Sequence, residues 1–289
     1  MKRLNITRPI SVVFASAMLG FCTCSFSAEP RKQAQPRSYL ELPTSGKFSA
    51  IPYVWERKGQ RKHLIVIGSR HERDPNSPIF ARIEAIFNRI WPEIVIHESV
   101  APEQLKTMPR DQAIKIGADL GFTVYLAGKY NAQIRSGDAP EKDEFKALLA
   151  VYPAEDVFVF LTSQRLIGSV RNPDLKIAQA EYSSFYQDYL VKNGIPKRHD
   201  WAQWNGFLKA YERVVGKPFS RETWRPIFVN PTVSTTRLNQ VARTSDIVRD
   251  RFLLAAIQNA LKDYNRVVVV FGGWHVLALE PVLNDLVVD

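Results

Sequence analysis

Two stretches of this chain share one construction, a buried strand that ends in a glycine turn and a histidine. Residues 266–278, RVVVVFGGWHVLA, place an unbroken apolar run before a glycine pair and His275. Residues 64–71, LIVIGSRH, repeat the pattern and end at His71. Such runs are typical of strands buried on both faces of a parallel sheet. Because ligands of open α/β sheets bind outside the carboxyl ends of the strands, the two G-x-x-H turns predict a site at that edge.

The remaining apolar patterns predict an α/β fold: a mostly parallel central sheet with an N-terminal β-hairpin, flanking helices and a helical insertion. SAIPYVWER, followed by KGQRK, favours a hairpin that leads into the first buried strand. We expect further strands at 94–96 and 132–135, and helices at 78–90, 111–120, 123–129 and 244–264. Thr244, Ser245 and Asp246 are the candidate caps of the last helix. Residues 157–161 have the composition of a buried strand but lack a glycine turn, and residues 217–243 are expected to be irregular.

The amino terminus has the pattern of a secretory signal peptide. Three basic residues precede an apolar run at 10–21, and small residues surround a cleavage position after Ser27. We therefore divide the chain into a signal peptide (1–27), a polar linker or arm (28–48) and a single α/β domain (49–289). Within that domain, about 145–235 form the helical insertion or cap. This organisation predicts a periplasmic or secreted protein with no stable membrane anchor after cleavage.

Removal of this segment changes two properties of the chain. The formal net charge falls from +10 to +7, because three basic and no acidic residues are lost, and the remaining charges are dispersed. A dispersed surplus favours a solvated surface over a nucleic-acid-binding site. Both cysteines, Cys22 and Cys24, lie in the removed segment. The mature chain therefore has no disulfide, no thiolate metal site and no cysteine nucleophile.

Five residues are candidates for the site: His71, Glu98, Asp138, Arg249 and His275. Two imidazoles and a carboxylate can hold a divalent metal that lowers the pKa of a bound water. Without a metal, a histidine could act as a base while Arg249 stabilises an oxyanion. Structural explanations stay open, because the histidines and acids can cap turns or helix starts. Arg249 can equally be a surface charge on an amphipathic helix.

The order of four short motifs resembles the TraB/GumN/Tiki superfamily and the neighbouring erythromycin-esterase and ChaN-like proteins. The motifs are PYVWERKG, IGSRH, IVIHES and VVVVFGGWH, and the resemblance covers about residues 50–145 and 240–285. It implies an α/β fold with a site built from His71, Glu98 and His275, with Arg249 and Asp138 as further members. It also implies varied activities, namely metal-dependent peptidases, esterases that open a lactone, and haem-binding proteins.

The resulting hypothesis is an exported hydrolase that cleaves an amide or ester in a peptide or small molecule. A divalent metal (Mn, Co or Zn) held by His71, Glu98 and His275 is one form of it. The alternative is a non-catalytic periplasmic haem- or metal-binding protein. Arg70 departs from the family pattern, since a guanidinium beside His71 disfavours a dication unless it turns outward. With an anionic substrate, Arg70 and Arg249 could instead clamp a carboxylate or phosphate. The oligomeric state stays open.

Overall fold

The computed structural model describes residues 34–43, 51–99, 102–168 and 174–286. The predicted signal peptide (1–27) lies outside the described residues, and so do residues 28–33 and 44–48 of the predicted linker. Within the described ranges, no helix is both long and apolar enough to cross a bilayer.

Five strands form one mixed sheet in the order β1-β2-β5-β3-β4. The hairpin partner β1 is antiparallel to β2, and the other neighbouring strands are parallel. The predicted α/β fold with its N-terminal hairpin is therefore confirmed. The strands are β1 (Tyr53–Lys58), β2 (His63–Ser69), β3 (Ile94–His97), β4 (Gln133–Ser136) and β5 (Arg266–Gly272).

The helices flank the sheet and build the insertion between β4 and β5. They are α1 (Pro78–Ile90), α2 (Arg110–Lys129), α3 (Glu141–Leu149), α4 (Ala154–Leu161), α5 (Leu175–Ser184), α6 (Trp204–Val215), α7 (Arg237–Asp263) and α8 (Gly273–Asp285). Short 3₁₀ turns occur at Tyr39–Glu41, Glu103–Lys106, His199–Trp201 and Pro226–Val229. Two π-helical segments, Thr162–Ile167 and Phe185–Val191, continue α4 and α5.

The three central strands, β2, β5 and β3, are buried on both faces, as their unbroken apolar runs predict. Side chains alternate along β2, so that Leu64 and Val66 pack with α7 and α8 on one face. Ile65 and Ile67 pack with α1 and α2 on the other face. Because helices cover both faces of these central strands, their polar residues occur mainly where the strands end.

A second core fills the helical insertion and is rich in aromatic rings. Phe158 and Trp201 stack at its centre, with ring centroids 4.4 Å apart and planes at 5°. The apolar run at 157–161, which has a strand-like composition, belongs to α4. Pro153, directly before α4, and the acidic residues of its first turn favour a helix start at this point.

The predicted start of α7 at residue 244 is wrong, because the helix begins at Arg237. The side-chain oxygen of Asn239 accepts the backbone N–H of Thr236 at 2.7 Å, which caps the earlier start. Ser245 and Asp246, expected as caps, are therefore buried inside the helix. The first part of α7 packs in the insertion core and its second part packs on the sheet.

One kinked helix, α2, replaces the two short helices predicted at 111–120 and 123–129. The kink is at Ala118, whose backbone is not helical (φ 53°, ψ −143°). The two halves lie very close, since a Cβ atom on Gly121 would be 2.0 Å from the carbonyl oxygen of Ala113. A glycine at residue 121 is therefore what allows the kink.

Candidate functional site

All five predicted site residues lie at the carboxyl edge of the sheet. His71 follows β2, Glu98 follows β3, Asp138 follows β4, and His275 is in the first turn of α8 directly after β5. Arg249 reaches the same edge from α7. Two adjoining clefts share His71, Glu98 and Arg249 in their walls, and one of them also includes His275 while the other includes Asp138. The parallel strands bring the predicted residues together because their carboxyl ends meet at this edge.

Arg249 is buried at the centre of the site and its N–H groups face partners. Its Nη2 donates to Glu98 Oε1 at 2.5 Å and to Asp138 Oδ2 at 2.9 Å, and its Nε donates to Asp138 Oδ1 at 2.7 Å. Its Nη1 lies 3.3 Å from Nε2 of His275 and 3.7 Å from Asp246. Burial lowers the pKa of Arg249, but these carboxylates raise it well above its usual range. Arg249 is therefore a buried, permanently charged residue that holds Glu98 and Asp138 in place. It is not a surface charge, and its N–H groups are not free to bind a substrate anion.

Glu98 is held in one orientation by both of its oxygens. Oε1 accepts from Arg249, and Oε2 accepts the backbone N–H of Gly272 at 2.8 Å. A Cβ atom on Gly272 would lie 3.1 Å from Oε2, so glycine lets the carboxylate approach the chain. Ser99, with φ 98°, turns the backbone sharply after Glu98. Burial raises the pKa of Glu98, but the nearby cations, Arg249 first, lower it to about 2, so Glu98 is ionised.

His275 is buried against Asp250 and Tyr39. Its Nδ1 lies 2.7 Å from Asp250 Oδ1, and the Tyr39 hydroxyl lies 2.9 Å from both Asp250 Oδ2 and His275 Nδ1. Burial lowers the pKa of His275, but Asp250 and then Asp246 raise it above its usual value. Tyr39 comes from residues 34–43, which the sequence marks only as a linker or arm. The Arg37 backbone N–H donates to the carbonyl of Ala278 in α8 at 2.7 Å and holds this arm in place.

His71 is the exposed member of the site and has its own carboxylate partner. Its Nδ1 lies 3.1 Å from Oδ1 of Asp119, and 65% of its side chain is exposed against 5% for Asp119. The hydrogen bond to Asp119 raises the pKa of His71 to about 9 despite its partial desolvation, and the Glu98 charge adds to this. Asp119 directly follows the kinked residue Ala118, so the kink of α2 delivers this partner. Asp119 was not predicted, although an acid within an apolar helix pattern between two glycines is a usable indication.

The side-chain atoms expected to coordinate a divalent metal already have hydrogen-bond or ion-pair partners within the protein. Both oxygens of Glu98 and both ring nitrogens of His275 have partners within the protein. The pKa of His71, raised to about 9, favours imidazolium, which has no lone pair for a metal. The Arg249 charge also lies between Glu98 and His275. In this arrangement the three residues do not fit a dication.

Two neighbouring residues lie outside this hydrogen-bonded group. Arg70 is 65% exposed and pairs with Glu72 at 3.6 Å, so its side chain turns outward along the wall of one cleft. His97 is buried behind the site, and Nδ1 of its ring has no hydrogen-bond partner in the part of the chain that the structure describes. Burial lowers the pKa of His97 to about 4, which keeps the ring neutral.

A second polar group joins the insertion to the site. Glu144 in α3 is 2% exposed and accepts the Ser245 hydroxyl at 2.5 Å. Arg165, in the π-helical segment Thr162–Ile167, donates from Nη2 to both Glu144 oxygens at 3.0 and 3.2 Å. Glu144 and Arg165 line the same cleft as Asp138. The sequence did not identify them, because neither follows a strand or a glycine turn.

Comparison with known proteins leaves this site to be interpreted from its own geometry. No protein-family model matches the chain, and no curated protein matches it in sequence. The class defined here is an α/β protein with two histidine–carboxylate pairs and a buried arginine at the carboxyl edge of its sheet.

Proposed function

We propose that this protein is a hydrolase of amide or ester bonds in which His71 acts as general base and then general acid, with the ionised Glu98 stabilising its imidazolium form. The observation that carries the proposal is the His71–Asp119 pair. Asp119 engages Nδ1, while the exposed imidazole presents Nε2 to a cleft that also contains the ionised Glu98. The motif order that resembles the TraB/GumN/Tiki superfamily supports the same class of reaction.

The neutral imidazole of His71 is the general base in this mechanism. It takes a proton at Nε2 from a water, whose oxygen attacks the carbonyl carbon of the substrate. Asp119 and Glu98 stabilise the resulting imidazolium, as their effect on the pKa of His71 indicates. When the tetrahedral intermediate collapses, the imidazolium returns the proton to the leaving nitrogen or oxygen. The bond to the leaving group breaks, and an acid and an amine or alcohol result.

Arg249 and His275 have a supporting role in this mechanism. Arg249 fixes the Glu98 carboxylate, and His275 faces the Nη1 side of the same guanidinium. Because the N–H groups of Arg249 are occupied, we do not assign to it an oxyanion or a substrate anion. The same contacts favour hydrolysis without a divalent metal.

The decisive experiment is an activity screen of the mature protein against small activated esters and N-acyl amides. His71→Gln should lower kcat/KM by about 10²–10⁴-fold, the usual contribution of a general base. His199→Gln is the matched control, since His199 is exposed and lies in a 3₁₀ turn of the insertion, and it should be as active as wild type. Equal activity of the His71 variant would refute the proposal.

Metal dependence and haem binding are separable in the same preparation. Dialysis against a chelator should leave the activity unchanged. Loss of activity that Mn, Co or Zn restores would replace this mechanism with a metal-dependent one. The alternative function, a haem- or metal-binding protein, stays a prediction. A Soret band after haem addition, without hydrolysis, would favour it.

Export to the periplasm or medium also stays a prediction, because residues 1–27 lie beyond the described part of the chain. It rests on the basic residues, the apolar run and the small residues around Ser27. The mass of the protein recovered from outside the cytoplasm should correspond to a chain that begins at Ala28.

A further inference from the structure

Arg165 differs from Arg249 in having unused N–H groups. Its Nη2 is bonded to Glu144, but Nε and Nη1 have no hydrogen-bond partner among the described residues. About 29% of its side chain is exposed, and it lines the cleft that also contains His71 and Glu98. Arg165 is therefore a cation in the wall of this cleft whose Nε and Nη1 groups are available to donate hydrogen bonds to a ligand.

The local structure holds the Arg165 guanidinium in position. Glu144 anchors one edge of it and is itself held by the Ser245 hydroxyl, which takes part of its hydrogen-bonding capacity. The residue lies in the π-helical segment Thr162–Ile167, and such segments often mark functional sites in helices. In the same segment, Oε1 of Gln164 is buried without a partner in the described chain, and Gln164 lines the adjoining cleft.

The charges that line the cleft balance when His71 is protonated, since the cations Arg73, Arg165, Arg249 and His71 face four carboxylates, Glu98, Asp138, Glu141 and Glu144. Arg249 pairs with both Glu98 and Asp138, and its single positive charge offsets one of their two negative charges. Glu141, at the first residue of α3, is exposed to solvent, and Arg73 carries the opposite charge in the same wall. The cleft also has an apolar wall, formed by Ile116, Ala118, Leu120, Ala139 and Phe252.

We propose that Arg165 binds a carboxylate of the substrate, so that the enzyme acts on amides or esters that carry a carboxylate next to an apolar group. N-acylated amino acids and peptide C-termini belong to this class. Because Nε and Nη1 lie on different edges of the guanidinium and Nη2 is engaged by Glu144, a substrate carboxylate accepts a single charge-assisted hydrogen bond from one of these two free nitrogens. The cleft volume of about 710 Å³ accommodates a ligand of that size. This inference names the substrate class of the hydrolase and so rests on the proposed function.

The test compares two probes that differ only in charge, N-acetyl-L-phenylalanine and its neutral amide, N-acetyl-L-phenylalaninamide. Calorimetric titration of the mature protein should give a Kd for the carboxylate on the order of 10-fold below that for the amide. Arg165→Gln should reduce this preference to less than about 2-fold, the level at which the charge-assisted contact is lost. Arg70→Gln is the matched control, because Arg70 is an exposed arginine of the adjoining cleft, and the preference should persist.

Folding effects are separated by two further variants, since Arg165→Gln leaves the buried Glu144 without its cation. The double variant Arg165→Gln/Glu144→Gln removes both charges and should also lose the preference. Glu144→Gln alone frees Arg165 from its counter-ion and should increase the preference above that of wild type. Circular dichroism and thermal melting check that each variant is folded.

Each outcome decides one of the two proposals. No preference in wild type, or a preference that survives Arg165→Gln, overturns the carboxylate site while the hydrolase proposal still depends on the activity screen. A preference that depends on Arg165 in a protein without hydrolytic activity supports the anion site and overturns the hydrolase proposal instead.

Discussion

At the scale of single residues, Tyr39 shows how a distant segment completes the site. Its ring is buried, and its hydroxyl contacts both members of the Asp250–His275 pair. A hydrogen bond to a charged group contributes more to stability than a hydrogen bond between neutral groups. If one partner of a buried hydrogen bond is removed, the free energy of unfolding falls, because the remaining group stays buried without a partner. Tyr39 therefore connects residues 34–43 to the charged groups at the carboxyl edge of the sheet.

Tyr39→Phe should lower the free energy of unfolding by about 1–3 kcal/mol, because Asp250 loses a buried donor. Tyr125→Phe is the matched control, since the Tyr125 hydroxyl has no hydrogen-bond partner in the described ranges, and it should change stability by less than about 0.5 kcal/mol. Urea titration of both variants gives the comparison. Equal stabilities would show that the Tyr39 hydroxyl does not hold the arm to the site.

The predicted site residues and their partners differ in how visible they are in the sequence. His71, Glu98 and His275 follow apolar strand runs, and the ends of parallel strands must share an edge. Tyr39 and Asp119 come from an arm and a helix, and no strand pattern connects them to that edge. Their roles depend on tertiary packing, which one sequence without its fold does not show.

At the scale of elements, the kink of α2 determines where Asp119 lies. The break at Ala118 turns the chain within a 20-residue helix and places Asp119 behind His71. The close approach of Gly121 to the Ala113 carbonyl leaves no room for a side chain. The sequence predicted helical segments on both sides of this point but not their contact, because periodicity carries no information on a kink.

Gly121→Ala should destabilise the protein by about 1–3 kcal/mol through overpacking of the two halves of α2. It should also move the pKa of His71 from about 9 toward 6.5, since Asp119 is displaced. Gly117→Ala lies in the same helix, where the added Cβ would meet Leu105 at an ordinary 3.6 Å, and it should be neutral or stabilising by up to about 1 kcal/mol.

Urea titration and NMR titration of the His71 ring measure these two effects. If Gly121→Ala and Gly117→Ala behave alike in both experiments, the kink does not position Asp119.

At the scale of the whole molecule, the site lies where two cores meet. The sheet core and the aromatic core of the insertion share α7. The buried middle of this helix contains four polar residues that lie between the two cores, Ser245, Asp246, Arg249 and Asp250. The apolar patterns of the strands predicted the sheet and its hairpin. The recognisable motifs do not extend over the insertion, so the sequence did not identify Glu144 and Arg165. Ser245 and Asp246 were predicted as helix caps because the start of α7 was placed too late in the chain.

The central claim, that His71 is a general base held by Asp119, is tested most directly by the pH dependence of kcat/KM in wild type and Asp119→Asn. A base acts in its neutral form, so wild-type kcat/KM should rise with pH and level off above the His71 pKa of about 9. Asp119→Asn removes the charge that raises this pKa, so the inflection should move down toward 6.5. A wild-type profile that falls as pH rises through 9, or an inflection that stays unchanged in Asp119→Asn, would contradict the account.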